Sequence, residues 1–352
     1  MLNLYNTQIE SLSIHRVGNK SRNESFFLSK DPLELNDELA ALLKEYFLKP
    51  FRDKEQNFNQ FVHDVDLEFH ELYNASNDIF NNPGKTHEQS RKIAKILFEQ
   101  SEHPHIKSGE LYVVYFDNIL MDNERLDAVG IFKSELKHEF LQFKEEDENL
   151  EAILRQGVNL NKLDKGALIF NTNKEEGFKV LSVDSNRYDT KYWRDQFLSI
   201  DLFHDENLYT KEYLRFCKDF AKDVVLPAED KQQEVMFMNR AVNHFAKNDD
   251  FKEEDFVNDV IDNPELRPEF ENYKTERAPN YKIDDLTEFP VSNTAVTAAR
   301  KKIKSVINLD TNMQIKLDFV NPDSAEKFIE KGWDPEREMY YYLVYFNKEE
   351  KN

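Results

Sequence analysis

Part-way along the chain the apolar residues change their period from about 3.6 residues to two, and that change limits what the chain can become. From Phe58 to Phe80 the positions Phe58, Phe61, Val62, Val65, Phe69, Leu72 and Ile79 keep helical spacing, and Asn82-Pro83-Gly84 stops them. From Leu111 the apolar residues follow a strand period. Residues 111–117, 126–133, 136–143, 165–171 and 177–184 read as five strands. Links such as Asn173–Gly177 are too short for crossover helices, so the strands must pair antiparallel. Helices before and after this block make the fold class α+β: an antiparallel sheet domain with flanking helices, then a helical region closing in a small antiparallel sheet.

The remaining segments fill in that outline. Ile9–Lys20 reads as a strand ending in a Gly-Asn turn, with residues 24–30 as its hairpin partner. Asp31-Pro32 starts a helix striped by Leu35, Leu39, Leu42, Leu43, Tyr46 and Phe47. Thr86 opens a further helix as an N-cap. The acidic run 144–149 reads as a solvated loop. Residues 207–225 are helical until Leu226-Pro227. From Ala228 to Glu288 there are 17 acidic and 8 basic side chains, net −9, in three helices. Strands follow at 303–309, 313–319 and 339–346, the first two joined by a short hairpin loop at Asp310–Asn312. The domains are therefore expected at 1–227 and 228–352.

Composition excludes several classes. Twenty-eight Phe and 15 Tyr supply enough apolar surface to offset the entropy of ordering, so disorder of the whole chain is excluded. The single cysteine, Cys217, cannot form an intrachain disulfide and sits in an amphipathic helical pattern, as a buried thiol would. The opening Met1–Asn6 lacks the basic and apolar regions of a signal peptide, and no apolar run approaches about 18 residues. A cytoplasmic protein without membrane spans is expected.

The order of segments is familiar. Ile9-Glu-Ser-Leu-Ser-Ile-His15 with Val17-Gly-Asn-Lys20, the strand pair between Leu111 and Phe132, and Val180–Arg194 with its following helix resemble the bacterial nucleoid-associated protein family of the 37-kDa class, over nearly the whole chain. The resemblance implies association with the bacterial chromosome and carries over no catalytic residues.

A formal charge of −21 sits awkwardly with that implication. Phosphate contact needs cations gathered on one face, because affinity comes from released counterions. Three clusters qualify. Lys85, Arg91, Lys92 and Lys95 surround one helix, with Arg91 and Lys95 four residues apart on an outward face, where an ordinary solvated surface is the bland reading. Arg187, Lys191 and Arg194 interleave with Tyr188, Tyr192 and Trp193, a mixture able to stack on bases, although Asp189 and Asp195 dilute its charge and Trp193 could simply anchor the sheet. Arg300, Lys301, Lys302 and Lys304 put four cations in five residues beside a strand, where they could equally guard an edge against aggregation. The acidic region after residue 228 suits a different partner, a basic DNA-processing protein such as a topoisomerase subunit.

Enzyme signatures are missing: the sequence has no Gly-rich phosphate loop, no Gly-x-Ser-x-Gly and no Cys-x-x-Cys. His70-Glu-Leu-Tyr-Asn74 departs from a zinc-protease helix at its fifth position. His63 and His70 read as surface residues too far apart on a helix to share an ion, and His103-Pro-His105 as a turn. A divalent-metal nuclease built on Asp117, Glu135 and Lys137 is the remaining enzymatic alternative. No cofactor and no metal are expected. A homodimer is plausible through the long aromatic strand 339–346.

Overall fold

The computed structural model describes residues 2–52, 57–135, 137–146, 149–185, 191–302, 306–316 and 328–348. Their contacts divide the chain into two compact units, Met1–Phe203 and His204–Asn352. The division falls earlier than 227 because the helix Glu206–Phe220 packs Tyr213, Phe216 and Phe220 into the core of the second unit.

The first unit is built on strands β1 (Leu2–Asn3), β2 (Gln8–Val17), β3 (Phe27–Leu28), β4 (Asn59–Phe61), β5 (Gly109–Met121), β6 (Glu124–Ser134), β7 (Lys137–Glu146), β8 (Asn149–Val158), β9 (Lys165–Phe170), β10 (Lys179–Asp184) and β11 (Ile200–Leu202). Nine of them form one antiparallel sheet in the order β11-β4-β10-β9-β6-β5-β2-β3, with β1 also pairing β5. Asp122 and Asn123, at φ 49° and 71°, make the two-residue turn between β5 and β6, a geometry that matches the twist of the paired strands.

Helices α1 (Asp37–Leu48), α2 (Glu71–Asn81) and α3 (Thr86–Glu99) cover the sheet. Alternate residues of β5 serve two cores. Val113 and Tyr115 join Ile93, Leu97 and Ile79, while Tyr112, Val114 and Phe116 join Leu43, Phe47 and Phe51. Burial on both faces explains why β5 reads Leu-Tyr-Val-Val-Tyr-Phe without interruption.

The helix expected over residues 58–80 is really β4, the short turn Leu67–Phe69, and α2. Asn59–Phe61 is taken into the sheet between β10 and β11. His70, expected at the surface, is buried; its Nδ1 accepts the Tyr73 N–H at 3.1 Å and its Nε2 lies 3.1 Å from the Leu198 carbonyl. Residues 137–143 likewise do not enter the main sheet. β7 pairs only with β8, and the acidic run expected as a loop continues β7 through Glu146.

Gly177 turns the chain into β10 at φ 100°, and its carbonyl accepts the Phe61 N–H at 2.9 Å. A Cβ there would lie 2.4 Å from the Phe61 carbonyl oxygen. Gly177→Ala should therefore destabilise the first unit by about 2 kcal/mol, read as a lower urea midpoint.

In the second unit, helices Glu206–Phe220, Lys231–Lys247, Glu253–Val260, Leu266–Arg277 and Asn293–Lys302 surround an aromatic core that includes Phe245, Phe251, Phe256 and Phe270. Cys217 is fully buried within it, and burial pushes its thiol well above the ordinary range. Val306–Asn308 and Gln314–Lys316 pair as a hairpin, and residues 303–305 and 317–319 of the strands expected there lie outside the described residues. Met339–Val344 pairs with Ile329–Asp334. Ile329 and Tyr342 pack with Val235 and Met236, so part of the hairpin that was expected to seek a second copy is already covered.

Candidate nucleic-acid interface

α3 carries the first cluster on a face of mixed charge. Ile93, Ala94 and Leu97 are buried, which turns Glu88, Lys92, Lys95 and Glu99 outward. Lys92 pairs with Glu88 at 3.2 Å. Near the far end, Lys20 pairs with Glu99 and with Glu102, the latter at 3.1 Å. Lys85 and Lys95 are exposed and Arg91 is half-buried, and none of the three has an ion-pair partner among the described residues.

Beneath Arg91 lies a buried hydrogen-bonded chain. His15 Nδ1 accepts the Ser29 N–H at 3.2 Å, so Nε2 carries the proton and donates to Ser90 Oγ at 2.8 Å; Ser90 Oγ in turn donates to the His87 carbonyl at 2.7 Å. His87 closes the chain, its Nδ1 2.8 Å from Ser13 Oγ and its Nε2 2.8 Å from the Lys30 carbonyl. Burial, His87 and Arg91 together lower the His15 pKa from 6.5 to about 4, so the ring is neutral at physiological pH.

Among its described residues the second cluster offers no stacking surface. Trp193 is fully buried against Phe197, ring centroids 4.9 Å apart, and Tyr192 is buried with its hydroxyl 3.2 Å from Ser101 Oγ. Both fill the core under the sheet and are closed to a base. Arg194 reaches Asp201 at 4.0 Å. Lys191 opens the helix Lys191–Leu198, and Arg187 lies outside the described residues.

Three residues of the third cluster, Arg300, Lys301 and Lys302, end a helix. Ala295 and Val296 are buried in the helix Asn293–Lys302, whose last turn carries Arg300, Lys301 and Lys302. All three are exposed, and Arg300 donates to Asn243 Oδ1 at 3.3 Å. Cations in a last turn also face the partial negative charge of the helix C-terminus, a structural reason for their presence. Lys304 lies outside the described residues.

Sequence reasoning missed the most heavily buried charges. Lys133 and Lys165 are cross-strand neighbours on β6 and β9, each about 1% exposed or less. Lys133 donates to Glu135 Oε1 at 3.0 Å and to the Lys107 carbonyl at 2.7 Å; Lys165 donates to Asp184 Oδ2 at 2.8 Å. Asp164 accepts the Glu135 N–H at 2.7 Å. The only sequence signal was a lysine at the end of each apolar run. Glu135 is thus held by Lys133, and Lys137 pairs with Glu110, so two members of the Asp117, Glu135 and Lys137 set are engaged in ion pairs. Among the described residues no three His, Cys, Asp or Glu side chains converge to hold a metal.

On the second unit, a cleft of about 1020 Å³ is lined by Glu253, Glu254, Asp255, Glu271, Asp284 and Glu288 against only Lys252 and Lys274. Lys274 is already bound to both Glu253 oxygens at 2.6 and 2.7 Å. No helix among the described residues is long and apolar enough to cross a membrane.

An antiparallel α+β protein with its buried charges paired and an acidic cleft is the class these features define. The family model described as nucleoid-associated protein YejK matches residues 13–340, and the chain belongs to that family. No curated protein matches it.

Proposed function

We propose that this nucleoid-associated protein reaches the chromosome through a basic DNA-processing protein, docked on the acidic face of the second unit, and performs no chemistry of its own. The observation that carries the reading is the cleft with six carboxylates and two ammonium groups. The cations meant for phosphate support it from the other side. Lys92 and Arg194 are paired with carboxylates, and Tyr192 and Trp193 are buried. A surface of this kind repels duplex DNA within about 10 Å at ordinary ionic strength and attracts a cationic protein segment.

Direct contact through Arg300, Lys301, Lys302 and Lys304 is the second reading, favoured by the exposure of the first three. A gel shift with duplex DNA at about 50 and 200 mM salt decides between them. The protein alone should give no shift at either concentration, and changing all four residues to Glu should alter nothing. Binding that falls about 10²-fold over that salt range, as four phosphate contacts require, and disappears in the fourfold variant would establish direct contact instead.

A further inference from the structure

The ribbon β7–β8 is the least covered element of the first unit. Every residue of β7 is exposed, and β8 is nearly so. Two strands alone are marginal in water, yet this pair runs through ten matched positions from Lys137↔Val158 to Glu146↔Asn149. Alternation assigns the side chains to two faces. One face carries Leu141, Phe143, Leu150 and Leu154, which retain 57, 63, 69 and 60% of their exposure. An apolar stripe of that kind marks an interaction surface.

We propose that a second copy of this chain covers the stripe, the two ribbons packing face to face and antiparallel about a twofold axis. The symmetry of the residues points to this occupant. Leu141 and Leu154 are cross-strand partners at the midpoint of the face, so the twofold places each on its own counterpart. The same operation sets Glu145, near the tip, opposite Lys137 at the base of the second copy, and Leu150 opposite Val158. Charge permits it. The chain carries −21, but the apolar face holds only Lys137 against Glu139 and Glu145, and the twofold sets Lys137 of each copy against Glu145 of the other, so two copies meet here with little repulsion. The four apolar side chains expose about 500 Å² per ribbon, or about 1,000 Å² in the pair, which reaches the lower bound for a specific interface. The inference is independent of how the protein reaches DNA.

Sedimentation equilibrium of the full chain over a micromolar concentration series tests it. The wild type should dimerise, and Leu141→Asp with Leu154→Asp should weaken association at least about 100-fold, because each charge would be buried without a partner. Both side chains lie outside the cores, so Trp193 fluorescence should be unchanged. Leu154→Cys supplies a second readout. Cys217 is fully buried, so a bis-maleimide spanning about 8–10 Å, the separation of two stacked sheets, should link chains only through the new thiols, giving a covalent dimer on a denaturing gel. A wild type that sediments as a monomer throughout overturns the proposal, as does a double variant that dimerises like the wild type. Failure of Leu154→Cys to cross-link overturns the antiparallel arrangement.

Discussion

Lys133→Met should destabilise the first unit by about 3–5 kcal/mol, the cost of leaving a buried carboxylate without its cation. Lys133 is fully buried, with its ammonium 3.0 Å from Glu135 Oε1, 2.7 Å from the Lys107 carbonyl and 5.6 Å from the centre of the Tyr192 ring. Methionine fills a similar volume but supplies no donor, so Glu135 Oε1 and the Lys107 carbonyl each lose the hydrogen bond from Lys133. Changing Glu135 to leucine in the same chain removes the stranded charge and should restore part of the loss, leaving mainly the unpaired Lys107 carbonyl. Urea unfolding monitored by Trp193 reports on this unit selectively. Trp193 is fully buried in it, whereas the other tryptophan, Trp333, is half exposed in the second unit. A single variant within about 1 kcal/mol of the wild type would show that the buried pair does not hold the unit together.

The first unit should also lose about 2–3 kcal/mol of stability as pH falls from about 6.5 to about 4, through His15. The unfolded chain takes up a proton near 6.5, while the folded ring resists until about 4, because it is buried and faces His87 and Arg91. The stabilisation is therefore complete above 6.5 and disappears as pH drops through that window. Protonation would also break the chain, since Nδ1 must give up the Ser29 N–H it accepts. His70 is lowered too, chiefly by burial, and contributes in the same direction. Comparison with His15→Gln isolates the effect. The variant should be weaker at pH 7, but the difference should shrink as pH falls towards 4. Parallel curves for the two proteins would rule out a neutral His15 as their source.

Much of the architecture was legible where one physical signal dominated. The strands at β5, β6, β9 and β10 were readable because apolar runs between short links leave antiparallel pairing as the only arrangement. α3 was readable from Ile93, Ile96 and Leu97, and its outward cations followed from the same spacing. Elsewhere two structures shared one pattern. The spacing from Phe58 to Ile79 fits a helix, but Asn59–Phe61 gains more by joining the sheet between β10 and β11, a long-range pairing that no local period encodes. The run 144–149 is acidic, which suggests a loop, yet its first three residues finish a strand whose partner begins at Asn149.

The candidate site divides along the same line. Residue type and spacing were enough to identify the cation clusters, the acidic stretch and a family resemblance spread along the whole chain. They were not enough to decide which of those side chains meets solvent. Tyr192 and Trp193 have the composition of a stacking surface, and only packing against Phe197 and Ser101 turns them inward. Lys165 finds Asp184 nineteen residues away because β9 and β10 run side by side. Local sequence determines period, turn and charge; burial and ion pairing depend on residues brought together from distant positions, and these belong to the tertiary structure alone.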